Sequence, residues 1–273
     1  MTQPLLSVQH LVTTFSHEPV VKGISFDLYP GEIIALVGES GSGKSVTALS
    51  IMGLLGRSAS AEGTILYNEE NIFSFPKKKR RKLNGKDFSI VFQEPMTSLN
   101  PMLKIRTQIA ESLKVHHPDW SKEAVREKVI SLLDEVDIPD PENVATLFPH
   151  QLSGGMRQRV MIAIAVACSP KLLVADEPTT ALDVTTQAQI LKLFKRLNKD
   201  HQTSILFITH DLSVVAELAD RVIVMKEGKI VEQANVYDLF DHPQHPYTQR
   251  LLAAMPTLDL DLDDTVTEEE AIK

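Results

Sequence analysis

The chain has 273 residues, 43% of them hydrophobic and 23% charged, enough for one sizeable core and a composition that excludes intrinsic disorder and fibrous repeats. Its formal net charge of -8 leaves no overall electrostatic footprint for nucleic acid or anionic lipid. The single cysteine, Cys168, excludes a disulfide framework, a thiolate zinc site and a Cys-ligated iron-sulfur cluster, and fits a reducing compartment such as the cytosol.

Met1 to His10 lacks a basic start followed by an apolar core, so no secretory signal is expected. Leu6 to Leu28 alternates loosely, as antiparallel strands do. Ile33 to Val37 is wholly apolar between Gly31 and Gly38 and predicts a buried strand, with a helix at Val46 to Leu55 after a glycine-rich turn. Lys77 to Lys82 is a run of six cations and reads as a solvated helix face, with anionic headgroups as the alternative contact. Lys104 to Val115 and Ser121 to Val136 have helical periodicity, Ser121 serving as N-cap.

Asp137 to Pro149 reads as a loop, and no strand pattern appears between Gln93 and Leu152, which predicts a helical subdomain at about 94–151. Apolar runs at Leu172 to Ala175 and Ile205 to Ile208 predict buried strands, followed by helices at Asp183 to Asn198 and Leu212 to Leu218. Arg221 to Met225 and Lys229 to Glu232 add two strands around the Glu227-Gly228 turn. The alternation predicts an α/β fold: a mostly parallel core sheet covered on both faces, an antiparallel β subdomain and the inserted helices. No run approaches the roughly 18 to 20 apolar residues that span a bilayer. From Pro256 onward seven acids face one base, a net -6 that leaves about -2 for the rest; 257–273 reads as a disordered acidic tail after a single domain at 1–256.

Three places carry chemistry. Gly38-Glu39-Ser40-Gly41-Ser42-Gly43-Lys44-Ser45 fits the phosphate-cradling pattern G-x-x-x-x-G-K-[ST] in its required context between strand and helix. Its N-H groups and helix start attract phosphate, Lys44 would reach the β and γ phosphates, and the Ser45 hydroxyl would ligate Mg²⁺. The run ending in Asp176-Glu177 supplies a residue to hold Mg²⁺, Asp176, and a base for the attacking water, Glu177. Ser153-Gly154-Gly155 opens an apolar helix and forms a second anion-binding helix start.

With Leu152 to Arg159 in view, the chain resembles the ATP-binding-cassette (ABC) ATPases. Leu152-Ser153-Gly154-Gly155-Met156 is similar to their signature, with Met156 where glutamine is common. Gln93 resembles their Q-loop residue, Ala181-Leu182-Asp183 their D-loop, and His210 their switch histidine. The resemblance implies ATP and Mg²⁺ as cofactors, with Gln93, Glu177 and His210 catalytic, Ser45, Gln93 and Asp176 on the metal, and Asp183 near the nucleotide. It also implies head-to-tail dimers in which Ser153, Gly154 and Gly155 contact ATP bound to the other subunit's P-loop. Phe15 is either the aromatic that stacks on the base or a core phenylalanine.

Phe92 to Pro101 and Phe240 to Thr248 narrow the resemblance to the peptide, nickel and opine-metallophore branch of ABC importers. That branch implies a peripheral position at the cytoplasmic face of the membrane, a second ATPase subunit, two permeases and, indirectly, an extracytoplasmic solute-binding protein. The cysteine-free tail favours the nickel or metallophore types over cluster-bearing peptide types. A rival function, a soluble ABC ATPase acting on nucleic acid, would bring a long coiled-coil insert or a second cassette, and the short stretch from Gln93 to Leu152 provides neither. His242 and His245 precede prolines in an expected loop without an acidic partner, which makes them loop residues rather than metal ligands.

Overall fold

The computed structural model describes residues 3–94, 98–180 and 182–254. Pro95, Met96 and Thr97 of the Q-loop segment, Ala181 of the D-loop and the acidic tail lie outside the described residues.

Two sheets form the frame. Strands β1 (Leu6–Phe15), β2 (Glu18–Leu28), β4 (Ala59–Tyr67) and β5 (Glu70–Asn71) make an antiparallel sheet of order β2-β1-β4-β5. The second sheet, of order β10-β9-β3-β8-β7-β6, contains β3 (Ile33–Val37), β6 (Phe88–Val91), β7 (Leu172–Asp176), β8 (Ser204–Ile208), β9 (Arg221–Lys226) and β10 (Lys229–Asn235). All its pairings are parallel except β9 with β10, joined by the Glu227-Gly228 turn.

The apolar runs are buried strands because both sheet faces are covered. Along β3, Ile34 and Leu36 enter the core shared with β1, β2 and helix α1 (Lys44–Met52), while Ile33, Ala35 and Val37 face the other side. Along β8, Leu206 and Ile208 face the first core, whereas Ile205 and Phe207 pack with helices α6 (Gly154–Val166) and α7 (Val184–His201). Each of these Val, Leu, Ile and Phe side chains contributes about 1.5–3 kcal/mol on full burial.

Helix α1 ends at Met52, three residues short of the expected Leu55, because Gly53 adopts φ 68° and caps the last turn. The cationic run forms α2 (Lys77–Leu83), and here the solvated-face reading needs correction at Arg80. Its guanidinium lies over Phe73 and donates to Ser50 O of α1 at 3.0 Å, and burial lowers its pKa. Lys79 pairs with Glu70, while Lys77, Lys78, Arg81 and Lys82 are exposed.

Between β6 and α6 lie α3 (Ile105–His116), α4 (Lys122–Glu135) and the short α5 (Pro141–Val144), with no strand among the described residues. Ser121 caps α4 by accepting from Ala124 N. The loop expected at Asp137 to Pro149 thus contains one helical turn, started by Pro141 at N1. After α8 (Leu212–Leu218) and β10 come two helices that periodicity alone leaves unread, α9 (Val236–Asp241) and α10 (Pro246–Ala253). His245, expected in a loop, is the N-cap of α10, its Nδ1 accepting from Tyr247 N at 3.1 Å. No helix among the described residues is long and apolar enough to cross a membrane.

Candidate functional site

The P-loop leaves the carboxyl end of β3, a central strand, which puts it where open α/β sheets bind ligands. Gly38 has φ 148°, and a Cβ there would stand 2.2 Å from Met225 O, so only glycine fits. Gly43, at φ 103°, occupies the N-cap of α1 and leaves that helix start without a side-chain cap. The first-turn donors therefore face the cleft as an anion site.

Lys44 is 5% exposed, and its Nζ donates to Gly38 O at 2.7 Å and Glu39 O at 2.9 Å. Burial lowers its pKa, opposed by the charges of Glu177 and Asp176. The Ser42 hydroxyl is buried without a hydrogen-bond partner. A buried ammonium resting on two carbonyls and an orphaned hydroxyl in the same loop fit a phosphate ligand, which satisfies both.

Around this loop the chain brings together residues far apart in sequence. The Ser45 hydroxyl donates to Asp176 Oδ1 at 3.0 Å. Burial raises the Asp176 pKa, with Glu177 adding to the effect and Ser45 and Lys44 opposing it. Glu177 lies one residue past β7 at φ 47°, a left-handed conformation that is strained for glutamate and common at functional sites. Its backbone N-H donates to Ile208 O at the end of β8. Three side chains converge on its carboxylate. Gln93 Nε2 and Thr180 Oγ1 each donate to Oε2 at 3.1 Å, and His210 Nδ1 lies 3.2 Å from Oε1.

Lys44, Ser45, Gln93, Glu177 and His210 share one cleft of about 600 Å³, whose apolar wall includes Val20, Leu212 and Leu251. Ser45, Gln93 and Asp176 also line an adjoining cleft of about 620 Å³. Phe15 is half-buried at the end of β1 and is neither among the residues lining the first cleft nor in a core cluster.

The signature stands apart. Ser153 caps α6 by accepting from Met156 N at 3.3 Å, and neither it nor Gly154 and Gly155 line the P-loop cleft. Asp183 caps α7, accepting from Thr186 N and Oγ1 at 2.9 and 2.7 Å, and these bonds lower its pKa. Gly155 faces the Thr186 methyl, where a Cβ would approach to 2.8 Å, so the signature packs against the first turn of α7. Sequence reasoning left out Thr180, Tyr247, Leu212 and Leu251. Thr180 follows Glu177 by three residues, the only signal available, whereas the others reach the site through the fold.

Comparisons with known proteins show the family. Residues 21–180 match the family described as ABC transporter, and residues 231–272 match the oligopeptide/dipeptide transporter C-terminal region. The oligopeptide transport ATP-binding protein AppD of Bacillus subtilis is 52% identical over 265 residues, covering 95% of this chain and 80% of that protein. The dipeptide transport ATP-binding protein DppD of the same organism is 50% identical, covering 94% and 78%. Among solved structures, cbiO1 of Clostridium perfringens, part of the ABC transporter complex cbiONQ, superposes with a TM-score of 0.75 at 30% identity, covering 88% of this chain and 91% of that one. The cassette MJ0796, solved as a dimer bound to ADP and Pi, gives 0.75 at 27% identity, covering 85% and 98%.

Proposed function

The chain belongs to the ABC transporter family as an ATP-hydrolysing subunit of the oligopeptide/dipeptide type, and from that premise we propose that it powers uptake of short peptides through separate membrane permeases. The observation that carries the hydrolytic part is the convergence of Gln93, Thr180 and His210 on the Glu177 carboxylate beside Lys44. Peptide cargo follows the names of the relatives and replaces the leaning toward nickel or metallophores drawn from the cysteine-free tail.

Each residue has a defined task in this reading. The P-loop amides and Lys44 bind the β and γ phosphates, and the ammonium takes up developing charge. Ser45, Asp176 and Gln93 supply the hard oxygen donors that Mg²⁺ takes, and the metal when bound neutralises phosphate charge. Asp176, a carboxylate disfavoured by burial, gains most from a cation there. Glu177 accepts the proton of the attacking water while Gln93 and Thr180 aim its Oε2, and His210 on Oε1 is placed to sense the γ phosphate. Asp183 lies near the nucleotide through its D-loop, and Phe15 is open as a base-stacking residue.

Ser153, Gly154 and Gly155 act on nucleotide held by a second ATPase subunit, in a head-to-tail dimer. A groove of about 580 Å³ between α3, α4 and α5, with Ala110, Val125 and Val129 in its floor and Arg106, Lys114 and Arg126 at its rim, suits the cytoplasmic segments of permeases. In this reading the chain is one nucleotide-binding domain with a helical subdomain at about 94–151, held peripherally on the cytoplasmic face of the membrane. An extracytoplasmic solute-binding protein delivers the peptide. Uptake of labelled di- to pentapeptides in cells lacking the chain, set beside uptake of nickel, tests the cargo. Loss of peptide uptake with nickel uptake intact is expected, and the reverse pattern overturns the peptide reading.

A further inference from the structure

The P-loop is held from behind by chain that follows β9. Gly228 N-H, in the β9–β10 turn, donates to Ser42 O at 3.0 Å. Glu39 N-H donates to the hydroxyl of Tyr247 on α10 at 3.0 Å. The second bond concerns one peptide unit. Its carbonyl, Gly38 O, accepts from Lys44 Nζ at 2.7 Å, and its N-H is the one that Tyr247 accepts. A single peptide plane is thus gripped at one edge by the phosphate-binding lysine and at the other by the C-terminal helix.

Gly38 provides no rotational restraint of its own, because a residue at φ 148° without a Cβ lies in a broad allowed region. The restraint comes from Tyr247, which is 2% exposed and packs in one cluster with Val37, Val224 and Leu239. Lys226 Nζ lies 5.3 Å from the centre of its ring. The turn before α10 is fixed in its own right, since the Glu232 carboxylate accepts from Gln244 N at 2.8 Å and His245 N at 3.0 Å. From the same helix, Leu251 reaches the wall of the P-loop cleft.

We propose that Tyr247 is a positioning residue for nucleotide binding, which fixes the Gly38-Glu39 peptide plane and so places Lys44, making the C-terminal helix α10 part of the nucleotide site. The C-terminal region then carries more than its own fold. Nucleotide affinity and docking of α10 are linked, and whatever loosens α10 weakens ATP binding by the factor with which ATP tightens α10. The proposal rests on the P-loop being the ATP site.

Isothermal titration of the purified full chain with ATP tests it, using Tyr247→Phe, which keeps the ring and removes the hydroxyl. Removal of one such bond corresponds to a rise in Kd of about 3- to 10-fold. The rise in KM should exceed any fall in kcat, and the unfolding midpoint without nucleotide should stay within about 2 °C of the parent. Tyr237→Phe, at an exposed tyrosine on α9, is the control and should bind as the parent does. Hydrogen exchange supplies the converse, with ATP slowing the amides of 247–253 in the parent and less so in Tyr247→Phe. Unchanged affinity in Tyr247→Phe, a loss accompanied by a matching fall in the nucleotide-free midpoint, or exchange in α10 indifferent to ATP each overturns the proposal. Failure of the parent to bind ATP would instead remove the P-loop assignment on which it rests.

Discussion

Two helix starts in this molecule are proposed as phosphate sites, and they are set up differently. The start of α1 is enclosed: Lys44 is 5% exposed, the strand β3 behind it is fully buried, and Tyr247 and Gly228 hold the loop from the rear. The start of α6 is open, with Ser153 and Gly154 exposed and Thr186 packed near Gly155. An anion at α1 finds a preorganised cleft that includes a cation and a base, whereas at α6 it finds amides and a hydroxyl facing solvent. Dipole and amides alone are weak in water, because the first turn is screened there. The enclosed start therefore suits binding by the single chain, whereas the open start is the half that the proposed dimer would cover.

Substitutions can break this comparison at graded points. The largest effect is expected at Glu177→Gln, which keeps size and hydrogen bonding but removes the base; ATP turnover should fall about 10²- to 10⁴-fold with binding retained. Steady-state phosphate release together with ATP titration checks this, and near-normal turnover would exclude Glu177 as the base. Lys44→Ala should weaken ATP binding about 10- to 150-fold, the worth of charge-assisted hydrogen bonds, and unaltered affinity would count against the enclosed site itself.

Thr180→Val removes one of the donors on Glu177 Oε2, and a fall in kcat of about 3- to 10-fold at saturating ATP is expected. Ser153→Ala should have the smallest effect on the isolated chain. Loss of the N-cap lowers stability by about 1 kcal/mol, read from denaturant unfolding, while ATP affinity of the single chain is unaltered. An equal loss of single-chain affinity would mean that the two helix starts are not separate half-sites.

How much of this was legible beforehand depended on the range over which a signal acts. Ile33–Val37 and Leu212–Leu218 match the structure to the residue, because an apolar run between glycines and a short capped helix are local patterns. The P-loop and the Ser153 cap were legible for the same reason. Helix α10 was not, since its eight residues open on a proline after a run of Pro and His that also suits a loop, and burial of Tyr247 against β3 and β9 is what settles it. Arg80 was misread within its cationic run because composition says nothing about which of six cations meets a helix end.

The amino-acid sequence by itself determined the elements with local signals and their residue types: glycine spacing for a phosphate loop, an apolar strand ending in two acids, and a capped helix start proposed as a second anion site. The tertiary structure alone decided which of these meet. Gln93 and Glu177 are 84 residues apart, and Glu39 and Tyr247 are 208 apart. Such contacts follow from strand order, which places β6, β7, β8 and β3 side by side with their carboxyl ends together. Backbone propensity and side-chain period act within a few turns of chain, whereas the order of strands is set by burying both faces of one sheet at once.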